Sequence, residues 1–264
     1  MQDINSPPGQ ATAQKQLCSP ELWNRFDREA ALDQRPSSRQ LKAELADALA
    51  SEDWESRLVP LLRQPPRRLV SPLFSLLLSR NPTVKWHAVT AFGLTVPNLA
   101  ESDMEAARVV MRRFMWTLTD ESGGIGWGSP EAMAEIMACH PRLASEYHQI
   151  FISYLLERDC PDNFLEYAPL REGAYWGATR LAQSRADLLE PSRSILECGL
   201  LSESSSQSLG YLCLALTWLG GASSRAQDRL HQLRDSQDIL TVYLDRSFHH
   251  MHLSELARQA AHSL

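Results

Sequence analysis

The sequence predicts an all-α fold, an α-solenoid of stacked antiparallel helical hairpins, and three observations predict it. Apolar residues recur at intervals of three and four in segment after segment from Pro20 onward. Each segment is bounded by Pro, Gly, Asp or Ser, and strict strand-like alternation is nowhere sustained, so helices are expected and sheets are not. A pattern of small and apolar residues also returns at long period. Ala88, Ala132, Ala174 and Ala215 are spaced by 44, 42 and 41 residues, and Phe92, Ile136, Ala178 and Leu219 follow four positions later on the same helical face.

Residues 1–19 are rich in Gln, Pro, Ser and Ala without periodicity and are expected to be a disordered leader. The ordered body is expected over 20–264 as one helical repeat domain, long enough to bury a substantial core. Helices are expected over 20–31, 38–50, 54–63, 69–79, 82–95, 102–119, 130–139, 141–157, 170–185, 191–198, 206–219, 223–233, 239–248 and 253–262. Pro82, Pro130, Pro141 and Pro191 stand at helix starts, where a missing N–H costs nothing because it would be unpaired anyway. Ser129 is the expected N-cap of the helix that follows it, with Glu131 placed favourably against the helix dipole.

The first copy of the long repeat reads Asn81-Pro82-Thr83-Val84-Lys85-Trp86-His87-Ala88, then Phe92-Gly93. A turn with Asn and Pro, a Val, a basic residue, an Ala three on and an apolar-Gly pair resemble the second-helix signature of HEAT repeats, including those of the phycobilin-lyase type. Leu170-Arg171 with Ala174, and Ala215 with Leu219-Gly220, keep parts of the pattern, whereas Gly128 to Ile136 departs most. The resemblance covers roughly residues 68–220, and the flanking helices continue the stack as degenerate or capping repeats. It implies an extended groove that engages partners.

Composition narrows the function. The net charge is -6, the pI is near 5.8, and three of 26 basic residues are lysines (Lys15, Lys42, Lys85), so the long-range field that gathers phosphate backbones is missing and nucleic acid is disfavoured. The longest apolar runs fall far short of the roughly 20 residues of a membrane span, and the polar start shows no secretory signal, which makes a cytoplasmic chain without membrane contact the expectation. Five cysteines at irregular spacing suggest neither a disulfide framework nor a metal knuckle.

The most unusual stretch is the Gly-rich loop 120–131, which carries Asp120, Glu121, Gly124, Trp127 and Glu131 and breaks the repeat. Local rules fail there together, as they do at functional sites, and the following helix offers free N–H groups. Its bland alternative is an elongated turn that needs glycine for its shape. Arg112 and Arg113, with Trp116 one turn on, precede it and can hold a carboxylate or phosphate, or can simply be solvated. Trp86, Trp127 and Trp176 fall early in successive second helices, with Lys85, His87, Arg171, Glu172 and Tyr175 beside them; they form an aromatic and charged groove or pack in the core. Glu131 and Glu135 share a helical face, but a dipole role suffices for Glu131, and no histidine is followed by Glu as in the HEAT-like iron hydroxylases.

No catalytic residue, metal or cofactor is assigned. The expected function is a non-enzymatic binding or scaffold protein whose groove, centred on loop 120–131, engages a protein segment or small ligand. One alternative is a HEAT-like lyase or cofactor-attachment chaperone using the same acids and tryptophans; another is a HEAT-like DNA glycosylase or nucleic-acid binder. An enclosed pocket near Trp127 favours a small ligand, and an open aromatic groove favours a peptide.

Overall fold

Ser37 and Gln40 close a capping box: Ser37 Oγ accepts from the Gln40 N–H at 3.2 Å, and Gln40 Oε1 accepts from the Ser37 N–H at 2.7 Å. Two N–H groups that the helix cannot pair itself are thereby satisfied. The computed structural model describes residues 36–119, 126–157 and 163–262. The expected leader 1–19 and the helix expected over 20–31 lie outside them.

α1 (Ser38–Ala50) and α2 (Trp54–Leu61) lead into α3 (Pro66–Leu76), α4 (Pro82–Ser102), α5 (Met104–Thr119), α6 (Ser129–Cys139), α7 (Pro141–Ser153), α8 (Ala168–Ser184) and the short α9 (Ala186–Leu189). A 3-10 turn leads to α10 (Arg193–Ser202), α11 (Ser206–Trp218) and α12 (Ser224–Leu233), and α13 (Leu253–His262) comes last. One layer is formed by α4, α6, α8, α11 and α13, each packed on the next; α3 and α5, then α7, α9, α10 and α12 pack against it from the other side. The alanine ladder explains this stacking. Ala88, Ala132, Ala174 and Ala215 are fully buried, as are Phe92, Ile136 and Ala178 one turn later. A methyl side chain lets neighbouring helix axes approach, and Phe92 and Ile136 fill the space one turn on, where the third copy keeps a second methyl, Ala178.

Helix ends differ locally from the sequence expectation. α4 runs through Pro97 to Ser102, seven residues past the expected end at Thr95, because Val96, Leu99 and Ala100 continue its buried face. The N-cap of α6 is Gly128 rather than Ser129. Ser129 is the first helical residue, and its hydroxyl lies 2.9 Å from Thr117 Oγ1. Gly128 holds φ at +76°, and a Cβ there would sit 3.1 Å from Leu77 Cβ. Gly128→Ala is therefore expected to lose about 1–2 kcal/mol from backbone strain alone, measured as a lower urea midpoint with unchanged m-value.

The largest departure is a β-hairpin. Residues 239–248 do not form the expected helix: β1 (Ile239–Leu244) and β2 (Ser247–His252) pair antiparallel, Ile239 opposite His252 and Leu244 opposite Ser247. Asp245 and Arg246 make the two-residue turn with φ of +47° and +67°, the left-handed geometry that matches strand twist. Thr241, Val242 and Tyr243 are β-branched or aromatic, which suits a pleated surface. His249, His250 and His252 consequently sit on a strand, where His250 Nδ1 lies 3.3 Å from Thr241 Oγ1. Among the described residues no His, Cys, Asp and Glu group is arranged to hold a metal, and no helix is long and apolar enough to cross a membrane.

The hairpin turns back across the stacked layer. Tyr243 stacks on Trp86 of α4, with centroids 5.0 Å apart and planes 19° apart, and its hydroxyl lies 3.0 Å from Thr90 Oγ1. Trp176 Nε1–H of α8 donates to the Tyr243 carbonyl at 2.7 Å, Gln207 of α11 donates to the Thr241 carbonyl at 3.0 Å, and Arg246 reaches Glu55 of α2 at 3.4 Å. One C-terminal element thus ties together helices from both ends of the described stack.

Candidate pocket under Trp127

Beside the hairpin, a pocket of ≈ 390 Å³ opens between α4, α6, α8, α11 and β1. α4 supplies Lys85 and Trp86, the turn before α6 supplies Trp127 and Gly128, and α6 supplies Glu131. α8 contributes Pro169, Leu170, Glu172, Gly173 and Trp176; Gln207 and Tyr211 come from α11, and Thr241 from β1. In the three repeats aligned on Ala88, Ala132 and Ala174, Lys85, Trp86, Glu131, Glu172, Gly173 and Trp176 all lie within three residues of the buried alanine. The repeat itself therefore converges these side chains on one volume.

The three indoles differ in burial. Trp176 is 2% exposed and meets Trp86 at 4.8 Å between centroids, whereas Trp127 is 37% exposed and packs edge-on against Tyr167 at 5.6 Å. Between them Lys85 Nζ donates to Glu131 Oε1 at 2.8 Å and lies 5.2 Å from the centre of the Trp86 ring. Glu131 is 4% exposed, so this pair is largely withdrawn from water. Gly173 makes room for it: a Cβ there would come within 2.7 Å of Glu131 Oε2.

A second carboxylate faces the same space. Glu172 Oε2 accepts from the Ser205 hydroxyl at 3.2 Å. Burial raises the Glu172 pKa above the ordinary carboxylate value; the Ser205 hydrogen bond and Lys85 oppose the rise, and Glu131 and Glu203 add to it. Burial also raises the Tyr211 hydroxyl.

The sequence candidates separate into groups. Trp86, Trp127, Glu131 and Trp176 come together in the pocket. Arg171 lies alongside but is engaged with Glu203 and with the carbonyls of Leu165 at 2.7 Å and Glu166 at 3.0 Å. His87 points elsewhere, stacked on Trp54 at 4.1 Å with Nδ1 2.7 Å from the Leu49 carbonyl; burial lowers its pKa. Arg112, Arg113 and Trp116 sit on α5, outside the stacked layer. Arg112 pairs with Glu105 at 2.6 Å, Arg113 covers the Phe74 ring at 3.9 Å, and Trp116 is 70% exposed. Asp120, Glu121 and Gly124 lie outside the described residues. Glu131 and Glu135 do not act as a carboxylate pair, because each has its own cation, Lys85 and Arg180.

Gln207, Tyr211 and Thr241 were not among the sequence candidates. Tyr211 stands one helical turn before the repeat alanine Ala215 and Gln207 another turn earlier, so the register alone could have placed them. Thr241 belongs to a strand whose position follows from tertiary packing.

No family model matches the sequence, and no curated protein matches it. Among solved structures, a designed armadillo repeat protein is similar at 15% identity and a TM-score of 0.50, over 92% of this chain and 98% of that one. Likeness at that identity concerns the fold, and it agrees with the alanine-spaced stacking of paired helices. The chain folds as an α-helical solenoid of the HEAT and armadillo kind, carrying a β-hairpin across its stacked layer.

Proposed function

We propose that the protein is a binding protein that holds a small ligand in the pocket under Trp127. The observation that carries this is a volume of ≈ 390 Å³ left between α4, α6, α8, α11 and the hairpin, which packs on the stacked layer through Leu240 against Gly210 and Tyr243 against Trp86. A concave site lined by aromatic rings with a few convergent polar groups has the composition of ligand pockets. Holding fits the chemistry better than turnover does. Glu131 is engaged by Lys85 and Glu172 by Ser205, and the described lining contains no thiol or imidazole. Two carboxylates against one ammonium would also repel a phosphate backbone, which weighs against nucleic acid.

A second reading is a protein segment that inserts one side chain. Trp127 and Tyr167, both exposed and packed edge to face, favour it, because large rigid aromatics are common interface anchors.

The test is a thermal-shift screen against small metabolites, followed by tryptophan fluorescence. A ligand present at about 100 times its Kd is expected to stabilise the chain by about 2.7 kcal/mol. Trp127→Ala should abolish that shift while altering the unliganded melting temperature little, since the ring is partly solvated. A shift that survives Trp127→Ala would put the ligand elsewhere and refute the proposal.

A further inference from the structure

We infer that the group taken by this pocket is an organic monocation with a flat or compact head, of the guanidinium or alkylammonium class. The inference rests on the binding reading above and deepens it. Three charged side chains line the volume, Lys85, Glu131 and Glu172. Lys85 and Glu131 neutralise each other at 2.8 Å. Glu172 has the Ser205 hydroxyl, and the nearest guanidinium in sequence, Arg171, is turned to Glu203 and to two backbone carbonyls. With both acids ionised the lining therefore carries one negative charge in excess.

A carboxylate taken out of water is stabilised by a cation and further destabilised by an anion. The rings add to the selection. Trp86, Trp127 and Trp176 border the same volume as Glu172, and the negative face of an indole attracts a cation, more strongly when the contact is desolvated. A planar guanidinium satisfies both demands, since it can lie against an indole while donating two parallel N–H groups to a carboxylate. An anionic ligand would meet two acids, and a neutral one would leave the half-buried Glu172 with the Ser205 hydroxyl as its bonded partner and no cation in contact.

The same head group can come from a free small molecule or from an arginine of a partner polypeptide. Butylguanidinium, its neutral isostere butylurea and pentanoate are titrated against the full chain by tryptophan fluorescence. Butylguanidinium is expected to bind saturably and at least about tenfold more tightly than butylurea, with pentanoate weaker still. Glu172→Gln, on a partly exposed side chain, should cost the cation about tenfold and cost butylurea, which carries no charge, clearly less. An N-acetyl-arginine methylamide arm separates the sources: tighter binding than butylguanidinium assigns a polypeptide, and weaker binding a free cation.

Equal or tighter binding of butylurea or pentanoate would overturn the cation inference while leaving a ligand pocket in place. Failure of all three probes to bind at millimolar concentration would likewise overturn it. The pocket reading then stands or falls separately, on whether Trp127→Ala abolishes the shift of whatever ligand the screen finds. The comparison among the three probes uses the unmutated chain, so it holds even if Glu172→Gln fails to fold.

Discussion

Replacing Arg180 with alanine is expected to lower the unfolding free energy by about 3–5 kcal/mol, the usual consequence of stranding a buried charge. Arg180 Nε of α8 donates to Glu135 Oε2 of α6 at 2.6 Å, and the two side chains are 7% and 11% exposed. Gly93 of α4 packs so closely on the stem of the same Glu135 side chain that a Cβ there would be 2.6 Å from Glu135 Cγ. Three consecutive helices of the stacked layer therefore meet at one ion pair. Its removal leaves Glu135 desolvated without its main cation, whereas removing both charges does not. The double variant Arg180→Met with Glu135→Leu should recover most of the loss, because apolar groups of similar volume often replace a buried pair without penalty. Urea denaturation of the three proteins checks this; a single-variant loss below about 1 kcal/mol would mean that water reaches the pair.

Tyr243→Ala is expected to cost a similar amount, about 3–5 kcal/mol for a large buried aromatic, and to act locally as well as globally. The ring stacks on Trp86, the hydroxyl meets Thr90, and the carbonyl of the same residue holds Trp176. Without the ring the hairpin loses its main anchor on α4, and Thr241 loses its fixed place in the pocket wall. Backbone amides over 239–252 should then exchange with deuterium much faster than in the parent chain. Tyr243→Phe keeps the stacking and gives up only the hydroxyl contact, so its expected cost is about 1 kcal/mol with near-parent exchange. Unchanged exchange in Tyr243→Ala would show that the strands are held by other contacts.

These two variants also mark the boundary between what was legible in advance and what was not. The alanines at 88, 132, 174 and 215 and the apolar residues one turn later announce stacked helices, because a helix reports its buried face every three to four residues within a single segment. The same register draws Trp86, Glu131 and Trp176 to one side. Sequence adjacency misled for Arg112, Arg113 and Trp116. They precede loop 120–131 closely, yet α5 belongs to the other set of helices, and its side chains engage Glu105 and Phe74 instead. Glu135 likewise shares a helical face with Glu131, but each is met by a cation from a different neighbouring helix.

The hairpin was hidden for a local reason. β1 alternates for only three positions before Val242, Tyr243 and Leu244 are all buried, Tyr243 against Trp86 of α4 and Trp176 of α8. A short apolar run of that kind has no period that distinguishes strand from helix. Its Asp245-Arg246 turn also lacks the glycine or asparagine that usually signals a tight hairpin.

By itself, then, the sequence determined the solenoid and its repeat register, because both are written in short-range periodicity and in the size of single side chains. Tertiary structure alone decided that strands from the C-terminal end lie across α4, α8 and α11, that Lys85 finds Glu131 and Arg180 finds Glu135, and that a pocket closes beside Trp127. Those outcomes depend on contacts between residues about 45 to 190 positions apart, and the loop-closure entropy of such contacts is recovered only when the intervening helices have stacked.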